Sequence, residues 1–290
     1  MLSAQAPAKV NRELRVGPRR PDGFHEILSR VVSIDLADSI EVEAAQELTL
    51  EVAGAAIPAD ETNLVHRAAV LLAERLGVPP RARIRLRKNV PAGGGLGGGS
   101  SDAAATLLLL SRLWKAGLAE SELSELAARL GSDVPYFLTG GEAQLSGRGE
   151  VVVPRMGGPS RELLLLVPPF PLSTAEVYAS YDREYGPSGL PLPKGLEIET
   201  SGRFFGPNDL ALPVLLKNSE MSDYLRSAEQ IAADHAMSGS GSVIAMAEVG
   251  TEAAQELSRR YPEATILPCR TLGREEYQRV IHPSGGASWT

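Results

Sequence analysis

Residues 91–105 of the chain read PAGGGLGGGSSDAAA, a run of six glycines around Leu96 that leads into Ser100, Ser101 and Asp102. Glycine accepts positive φ angles and lets a ligand come close to backbone N–H groups. Serine and aspartate start helices, and the first N–H groups of a helix have no partner within it. A glycine loop that runs into a helix start therefore predicts an anion site, and phosphate is the usual anion. The alternative is a flexible linker before an ordinary helix cap.

Two common phosphate-loop patterns fit this stretch poorly. The pattern GxxxxGK[ST] fails because no lysine precedes Ser100. The pattern GxGxxG is met by Gly93, Gly95 and Gly98, but a match means little in so glycine-rich a run. Residues 83–87 alternate arginine with apolar residues, whereas central parallel strands are apolar on both faces. The acidic ribose partner expected about 20 residues further on is also missing.

The segments around the loop predict both strands and helices. Residues 38–54 and 82–90 alternate apolar and polar side chains, as half-exposed antiparallel strands do. Residues 62–77, 100–117 and 121–131 have helical apolar spacing, and each of the three segments ends at a glycine. The first half of the chain is therefore predicted to be α+β.

The second half opens with a different composition. Residues 154–160 read PRMGGPS and predict a hinge, and residues 162–170 read as a buried strand. Residues 185–202 are rich in proline and glycine and predict a long surface loop. We expect two domains, residues 1–154 and residues 155–290.

Composition limits the classes of function. The formal net charge is −7 and no lysine-rich block occurs, which argues against a nucleic-acid partner. The single cysteine, Cys269, excludes an internal disulfide, indicates a reducing compartment and is expected to pack in the core. No apolar run reaches the ~18 residues of a membrane span, and Lys9, Arg12 and Arg15 lie where a signal peptide is apolar. We expect a cytoplasmic protein without a membrane partner.

The glycine run resembles the phosphate loop of the superfamily that contains galactokinase, homoserine kinase, mevalonate kinase and phosphomevalonate kinase. Within that superfamily, three other regions resemble the 4-diphosphocytidyl-2-C-methyl-D-erythritol kinase family of the non-mevalonate isoprenoid pathway. They are PAKVN at 7–11 with RRPDGFHEI at 19–27, LGSDVPYFLTGGEAQLSGRGE at 130–150, and MSGSGS at 237–242. The resemblance is dense over the first half of the chain and thinner over the second.

The resemblance implies a kinase that uses ATP and Mg²⁺ to phosphorylate the 2-hydroxyl of a substrate bearing a cytidine diphosphate group. It implies an N-terminal ATP-binding and catalytic domain like domain 2 of ribosomal protein S5. It also implies a ferredoxin-like C-terminal domain that closes the substrate cleft. The oligomeric state, monomer or homodimer, stays open. The residues expected to hold the phosphates are Pro91, Gly93, Gly95, Leu96, Gly97, Gly98, Gly99, Ser100 and Ser101.

Two residues are expected to carry the chemistry. The resemblance makes Asp133 the base that removes the proton of the acceptor hydroxyl, and places Lys9 against it. A positive charge beside Asp133 favours its ionised form. From the residues alone, Asp133 before Pro135 is about as well explained as a helix N-cap, and Lys9 as a surface lysine. Ser101 is the expected magnesium ligand, and Asp102 could be only a charge at a helix start.

The cytidine end is expected to use stacking and hydrogen bonds. By resemblance, Phe24, His25 and Asn11 recognise the cytosine, and Tyr178 closes the other side of the base. The family usually has tyrosine where this chain has Phe24, so a phenol hydrogen bond is lost and stacking survives. Without the resemblance, RPDGFH is a turn with a partly buried aromatic ring, and His25 is structural.

A second glycine turn is expected to support the phosphate loop. It consists of Gly239, Ser240 and Gly241, and its alternative is a plain hairpin turn. On the strand that bears Asn11, Arg12 and Glu13 replace the apolar residues usual in the family, which puts the substrate contacts of Asn11 in doubt.

Two competing functions stay open. The first is a sister kinase acting on homoserine, mevalonate or a sugar, against which the PDGFHE segment argues. The second is a ligand-binding relative without turnover, against which the presence of both Lys9 and Asp133 argues.

Overall fold

The computed structural model describes residues 1–196 and 201–282, in which two β-sheets are covered by helices. The strands are β1 (Leu2–Arg19), β2 (His25–Glu43), β3 (Thr49–Ala53), β4 (Arg83–Arg87), β5 (Glu142–Ser146), β6 (Val151–Pro154), β7 (Glu162–Val167), β8 (His235–Met237), β9 (Ile244–Ala247) and β10 (Thr265–Arg270). The helices are α1 (Leu64–Leu76), α2 (Gly98–Leu113), α3 (Glu120–Leu130), α4 (Val134–Thr139), α5 (Thr174–Tyr185), α6 (Ala211–Lys217), α7 (Ser219–Ile231), α8 (Thr251–Arg260) and α9 (Arg274–Ile281).

The first sheet has the strand order β3-β4-β2-β5-β6, with β1 paired to β2. All its pairs are antiparallel except β3 with β4, which run parallel. The β1–β2 hairpin is long, and its register shifts between Pro7 and Lys9 and again between Asn11 and Glu13. Such irregularities re-aim side chains and are common beside functional sites. They flank the segment that bears Lys9 and Asn11.

The second sheet has the order β10-β7-β9-β8 and is antiparallel throughout. Strand β7 is buried on both faces: Leu164 and Leu166 pack in one hydrophobic cluster, and Leu163 and Leu165 in another. This explains its unbroken leucine run. Half-buried Cys269 packs against the second of these clusters.

Helix α9 returns to the core of the first sheet. The side chains of Tyr277 and Ile281 are fully buried there, and the Tyr277 hydroxyl donates a hydrogen bond of 2.6 Å to the carbonyl of Phe137. Helix α9 therefore completes the core that the first half of the chain builds.

Several predicted elements are confirmed. Helix α1 begins after Asn63, whose side chain accepts a hydrogen bond from the N–H of Val65, and ends at Gly77 with φ of 65°. Helix α3, strand β4 and strand β7 are also confirmed. The mixture of strands and helices confirms the α+β class.

Two predictions of detail were wrong, namely the bounds of helix α2 and the antiparallel pairing of all strands in this region. Helix α2 begins at Gly98, before the serines, and ends at Leu113, because Lys115 (φ 52°) adopts a left-handed conformation before Gly117 is reached. The region 38–54 is two elements, the end of β2 and the separate strand β3. Strand β4 is antiparallel to β2 as predicted but parallel to β3.

The proline-rich region is only partly a surface loop. Its first residue, Tyr185, ends α5, and residues 186–196 form no helix or strand, but Leu196 is buried. Residues 197–200 of this region lie outside the described residues. Over the described residues, no helix is long and apolar enough to cross a lipid bilayer.

Candidate active site

One cavity of about 1080 Å³ collects most of the predicted site residues. The glycine run lines one part of it, Lys9 and Asp133 line another, and Phe24 with His25 and Tyr178 line a third. Ligand pockets usually measure ~300–1,000 Å³, so this cavity lies at the upper end of that range.

The glycine run has the backbone that its composition predicts. Gly93, Gly95 and Gly97 have φ angles of 72°, 78° and 71°, which residues with a Cβ rarely adopt. Gly97 is the N-cap of α2 and offers no side chain to the first N–H groups of the helix. A helix N-terminus without a side-chain cap at the edge of a cavity can bind an anion.

The second glycine turn lies directly against the first. The hydroxyl of Ser238 donates to the carbonyl of Gly95 at 3.0 Å, and the N–H of Val243 donates to the carbonyl of Gly94 at 3.2 Å. A Cβ on Gly95 would lie 2.0 Å from the carbonyl oxygen of Ser238, so the close approach requires glycine.

The Asn208 side chain in turn holds the second turn, by donating to the carbonyls of Met237 and Gly239 at 2.8 Å each. The NDL tripeptide that contains Asn208 gave no functional prediction, although it orders this part of the site.

Lys9 and Asp133 meet in the cavity. The Lys9 side chain is only 5% exposed, and its Nζ lies 3.6 Å from Oδ2 of Asp133 and 2.5 Å from Oδ1 of Asn11. Lys9 is therefore not a surface lysine. Asp133 occupies the N-cap position of α4, but its side chain makes no capping hydrogen bond and is 37% exposed. The capping alternative therefore does not account for its carboxylate.

This pair lies against the end of the phosphate loop. The N–H of Lys9 donates to the carbonyl of Leu96 at 2.9 Å. A Cβ on Gly97 would lie 3.2 Å from Cε of Lys9 and 2.7 Å from the ring of Phe137. A buried cation, with a carboxylate beside it, thus lies next to Gly97 at the start of α2.

The aromatic end of the cavity is built around His25. Its Nδ1 lies 2.9 Å from the carbonyl oxygen of Gly17, and because a carbonyl only accepts, Nδ1 carries the proton. Its Nε2 lies 3.1 Å from Oδ1 of Asp182, although the two are not aligned for a hydrogen bond. The rings of Tyr178 and Tyr181 pack at 5.4 Å from the imidazole. Phe24 stands apart, 48% exposed.

Comparisons with known proteins agree with this geometry. Residues 63–141 match the model of the GHMP kinases N terminal domain. A 4-diphosphocytidyl-2-C-methyl-D-erythritol kinase of Pelotomaculum thermopropionicum is 39% identical over 290 aligned residues, covering 94% of this chain and 98% of the relative. The chain belongs to the 4-diphosphocytidyl-2-C-methyl-D-erythritol kinase family. A 4-diphosphocytidyl-2-C-methyl-D-erythritol kinase of Geobacillus thermodenitrificans is 43% identical over 187 residues, which cover 63% of this chain and 64% of that protein.

Two solved structures have a similar fold to this kinase. A crystal structure of 4-(cytidine 5'-diphospho)-2C-methyl-D-erythritol kinase superposes with a TM-score of 0.77 at 33% identity, over 93% of this chain and 99% of that one. A homoserine kinase from Cytophaga hutchinsonii superposes with a TM-score of 0.66 at 17% identity, over 95% and 96% of the two chains. The latter likeness shows a shared fold alone.

Two of the predicted site residues, Asn11 and Ser101, use their side chains in hydrogen bonds within the protein. The amide of Asn11 donates to the hydroxyl of Ser29 at 2.9 Å, while its oxygen accepts from Lys9, so Asn11 lines the cavity as part of the Lys9 environment. The hydroxyl of Ser101 is buried and donates to the carbonyl of Pro7 at 2.8 Å, whereas Ser100 and not Ser101 lines the cavity. No group of three or more His, Cys, Asp or Glu side chains in the described ranges is arranged to hold a metal ion.

Arg148 is a cavity residue that the sequence reading did not single out. Its guanidinium lies 5.0 Å from the centre of the Phe24 ring and donates to the carbonyl of Ala128 at 3.0 Å. The neighbouring Gly149 approaches Asp133, since a Cβ there would lie 3.5 Å from Oδ1. Arg148 thus lies on a loop that runs between the aromatic end and the Lys9–Asp133 pair. The SGRGE segment was the available signal.

The unusual Arg12 and Glu13 lie outside the cavity lining. The Arg12 guanidinium stacks 4.2 Å from the centre of the Phe204 ring, donates to the Phe204 carbonyl at 2.9 Å and pairs with Glu142. Burial lowers the pKa of Arg12, and the Glu142 carboxylate opposes that shift. The Arg12 contacts join the first sheet to the 204–205 segment, away from the cavity lining.

Proposed function

We propose that this protein transfers the γ-phosphoryl group of ATP to the 2-hydroxyl of 4-diphosphocytidyl-2-C-methyl-D-erythritol. The observation that carries the proposal is the position of the Lys9–Asp133 pair against Gly97 at the end of the phosphate loop. The same cavity continues to Phe24 and His25. A donor phosphate, a proton acceptor and an aromatic platform are thereby available in one space.

The glycine run and the start of α2 would hold the triphosphate. Positive φ angles at Gly93, Gly95 and Gly97 turn the backbone, and the uncapped helix start supplies N–H groups and a partial positive charge. In phosphoryl transfer the protein chiefly positions the reactants and stabilises charge, so a rigid cradle is a large part of the catalysis.

Asp133 and Lys9 would act on the acceptor hydroxyl. The half-exposed Asp133 carboxylate takes the hydroxyl proton as the oxygen attacks the γ-phosphorus and the bond to ADP breaks. The Lys9 ammonium, 3.6 Å from that carboxylate, would stabilise the negative charge that develops on the attacking oxygen. Asn11 and the carbonyl of Leu96 fix Lys9 in place.

The aromatic end would bind the cytidine diphosphate portion. Phe24 and Tyr178 offer ring faces for stacking, and burial followed by the charge of Asp133 raises the pKa of Tyr178, so its phenol stays neutral. His25 is held by Gly17 and flanked by Asp182. The Arg148 guanidinium near Phe24 suits the negative diphosphate, which must run from the cytosine towards Asp133.

Magnesium is expected to travel with ATP. It keeps several water ligands and is bound chiefly through substrate phosphates and a few protein oxygens. Because Ser101 donates to Pro7, the hydroxyl of Ser100 is the better-placed oxygen at the start of α2. Mg²⁺ would neutralise charge between the β- and γ-phosphates.

We also propose the finer domain analogies. Residues 1–154 form the ATP-binding and catalytic domain, resembling domain 2 of ribosomal protein S5, and residues 155–290 form a ferredoxin-like domain that closes the cleft. The division of the two sheets between these ranges supports the proposal, with α9 crossing back to the first. A cytoplasmic location goes with this function.

Phosphorus NMR of the product tests the position of transfer. The carbon that bears the 2-hydroxyl also carries the methyl group and has no hydrogen, so a phosphate on it shows no three-bond coupling to a CH proton. We expect one new phosphomonoester signal without such coupling and an intact diphosphate. A coupled signal would place the phosphate on another hydroxyl and contradict the proposal.

A further inference from the structure

A buried cluster of charges lies beneath the phosphate loop. Lys88 is 6% exposed, and its ammonium donates to the carboxylates of Asp38 and Asp102, the latter at 2.7 Å. Both carboxylates are buried as well, Asp38 on β2 and Asp102 at the fifth residue of α2. Buried charges are costly unless they are paired, so their arrangement here calls for a reason.

Asp38 also holds the backbone at the beginning of the loop. Its Oδ1 accepts the N–H of Asn89 at 2.5 Å and the N–H of Val90 at 2.8 Å. These are the two residues between Lys88 and Pro91, where the glycine-rich segment opens. One carboxylate therefore fixes both the side chain of Lys88 and the strand end that follows it.

Asp102 connects the same lysine to the other end of the loop. It lies four residues after Gly98, the first residue of α2. A Cβ on Gly98 would lie 3.2 Å from Nζ of Lys88, so the ammonium lies directly under the helix start. Lys88 thus joins the strand that enters the loop to the helix that leaves it.

We propose that Lys88, Asp38 and Asp102 form a clasp that fixes both ends of the phosphate loop and thereby sets its affinity for nucleotide. The three are positioning residues, acting through the loop backbone. The inference rests on the proposed function only in taking the loop as the nucleotide site.

Such a clasp would favour nucleotide binding by limiting the freedom of the loop and by pairing buried charges. Six glycines give the loop unusual freedom in the absence of anchors, and every bond that fixes its ends lowers the entropy lost on binding. The clasp also pairs the buried Asp38 carboxylate with Lys88, since an unpaired carboxylate beside a triphosphate would repel it. Burial acts to lower the pKa of Lys88, but the charges of Asp102 and Asp38 outweigh it and raise that pKa.

Three variants at one position separate the clasp from simple packing. Asp102→Ala removes the acceptor, Asp102→Asn keeps an oxygen that accepts from Lys88, and Asp102→Leu keeps the branched outline without an acceptor. Lys88 stays paired with Asp38 in all three, so each is expected to fold. Glu51→Ala, which removes the exposed partner of Arg83, is the matched control. Thermal melting of each variant checks the fold.

The readouts are the Kd for the non-hydrolysable nucleotide AMP-PNP by calorimetry and the KM values for ATP and the alcohol substrate. We expect the alanine and leucine variants to weaken AMP-PNP binding and raise the KM for ATP by about tenfold, the worth of a charged hydrogen bond. The asparagine variant and the Glu51 control should stay within about twofold of wild type, as should KM for the alcohol in every variant.

The pattern among the variants decides the result. The clasp would be contradicted if Asp102→Asn bound AMP-PNP as weakly as Asp102→Ala, or if Asp102→Leu bound it as tightly as Asp102→Asn. It would also be contradicted if all variants had the same Kd for AMP-PNP. If Asp102→Ala does not fold, Asp38→Ala, which frees the N–H groups of Asn89 and Val90, must show the same rise in Kd. Wild type that binds AMP-PNP but does not turn over the cytidine substrate would contradict the proposed function and leave the clasp supported by its own pattern.

Discussion

Asp133 shows how geometry separates two explanations that the sequence leaves equal. It occupies the N-cap position before α4, yet its carboxylate makes no capping bond and faces Lys9 in the cavity. Loss of a true N-cap costs about 1 kcal/mol of stability, whereas loss of a general base costs rate.

Substitution of Asp133 by alanine is therefore expected to lower kcat by more than about 10²-fold. AMP-PNP affinity and the urea midpoint should change little, because the side chain caps nothing. Steady-state kinetics, calorimetry and denaturation on the same preparation check this. If kcat is unchanged, or if a loss of stability accounts for the loss of activity, Asp133 is not the general base.

Asp102 makes stability depend on pH. Burial raises the pKa of its carboxyl from 3.8 to about 8, against the opposing charge of Lys88 and together with the like charge of Asp38. A raised pKa means that the folded state holds the proton more tightly, so this contribution to stability is complete below the unfolded pKa. It is lost as the pH rises towards about 8.

We expect the free energy of unfolding of wild type to fall relative to that of Asp102→Asn as the pH rises over this window. Asparagine does not titrate, so the difference between the two proteins isolates this one carboxyl from all others. Urea denaturation at a series of pH values measures it. Parallel curves for the two proteins would show that Asp102 titrates normally.

At the scale of elements, the phosphate loop depends on glycine for two separate reasons. Gly97 has φ of 71°, and a Cβ there would also lie 2.7 Å from the Phe137 ring. Gly77, at the end of α1, has φ of 65°, but a Cβ there would meet nothing within 4 Å. A Cβ would strain the backbone at both positions, but only at Gly97 would it also clash with a neighbouring side chain.

Gly77→Ala is expected to cost only the left-handed backbone, about 1–2 kcal/mol, with nucleotide binding intact. Gly97→Ala should cost more stability and weaken AMP-PNP binding, because Phe137 or the loop must move. Denaturation and calorimetry on the pair give the comparison. Equal losses of stability with equal nucleotide affinity would mean that the contact with Phe137 is unimportant.

The elements that the sequence predicted best are those with local signals. Helix α1 has both its caps, Asn63 and Gly77, within the segment itself. The long β1–β2 hairpin was not foreseen, because its mixed residues and register shifts make sense only once the two strands are paired. Helix α2 began earlier than predicted, since Gly97 starts it through its backbone conformation and serine does not cap it.

The site residues, too, differ in how far local sequence could predict them. The glycine run is contiguous and could be interpreted from physical chemistry, whereas Lys9 and Asp133 are brought together only by the fold and were found through resemblance. The Lys88–Asp38 pair joins residues 50 positions apart, and no pattern in the sequence connects them. Arg148 was missed although it lies in the SGRGE segment, because nothing within that segment assigns a role to its single arginine.

At the scale of the whole molecule, helix α9 packs into the core of the first sheet. Tyr277 is fully buried, and its ring occupies the space beside Gly140, where a Cβ would lie 2.0 Å away. Tyr277→Ala should lower the free energy of unfolding by about 3–5 kcal/mol, as for other buried aromatic residues. Arg279→Ala on the exposed side of the same helix is the control. Similar urea midpoints for the two variants would show that α9 is not part of the core.

The central claim is that one cavity joins a phosphate loop, a catalytic pair and a cytidine platform. The most direct test is ADP release with ATP, Mg²⁺ and one acceptor at a time: diphosphocytidyl-methylerythritol, mevalonate, homoserine or galactose. We predict turnover with the cytidine compound alone. Turnover with another acceptor would keep the phosphate loop and contradict the assignment of Phe24 and His25, and silence with all four acceptors would contradict the kinase itself.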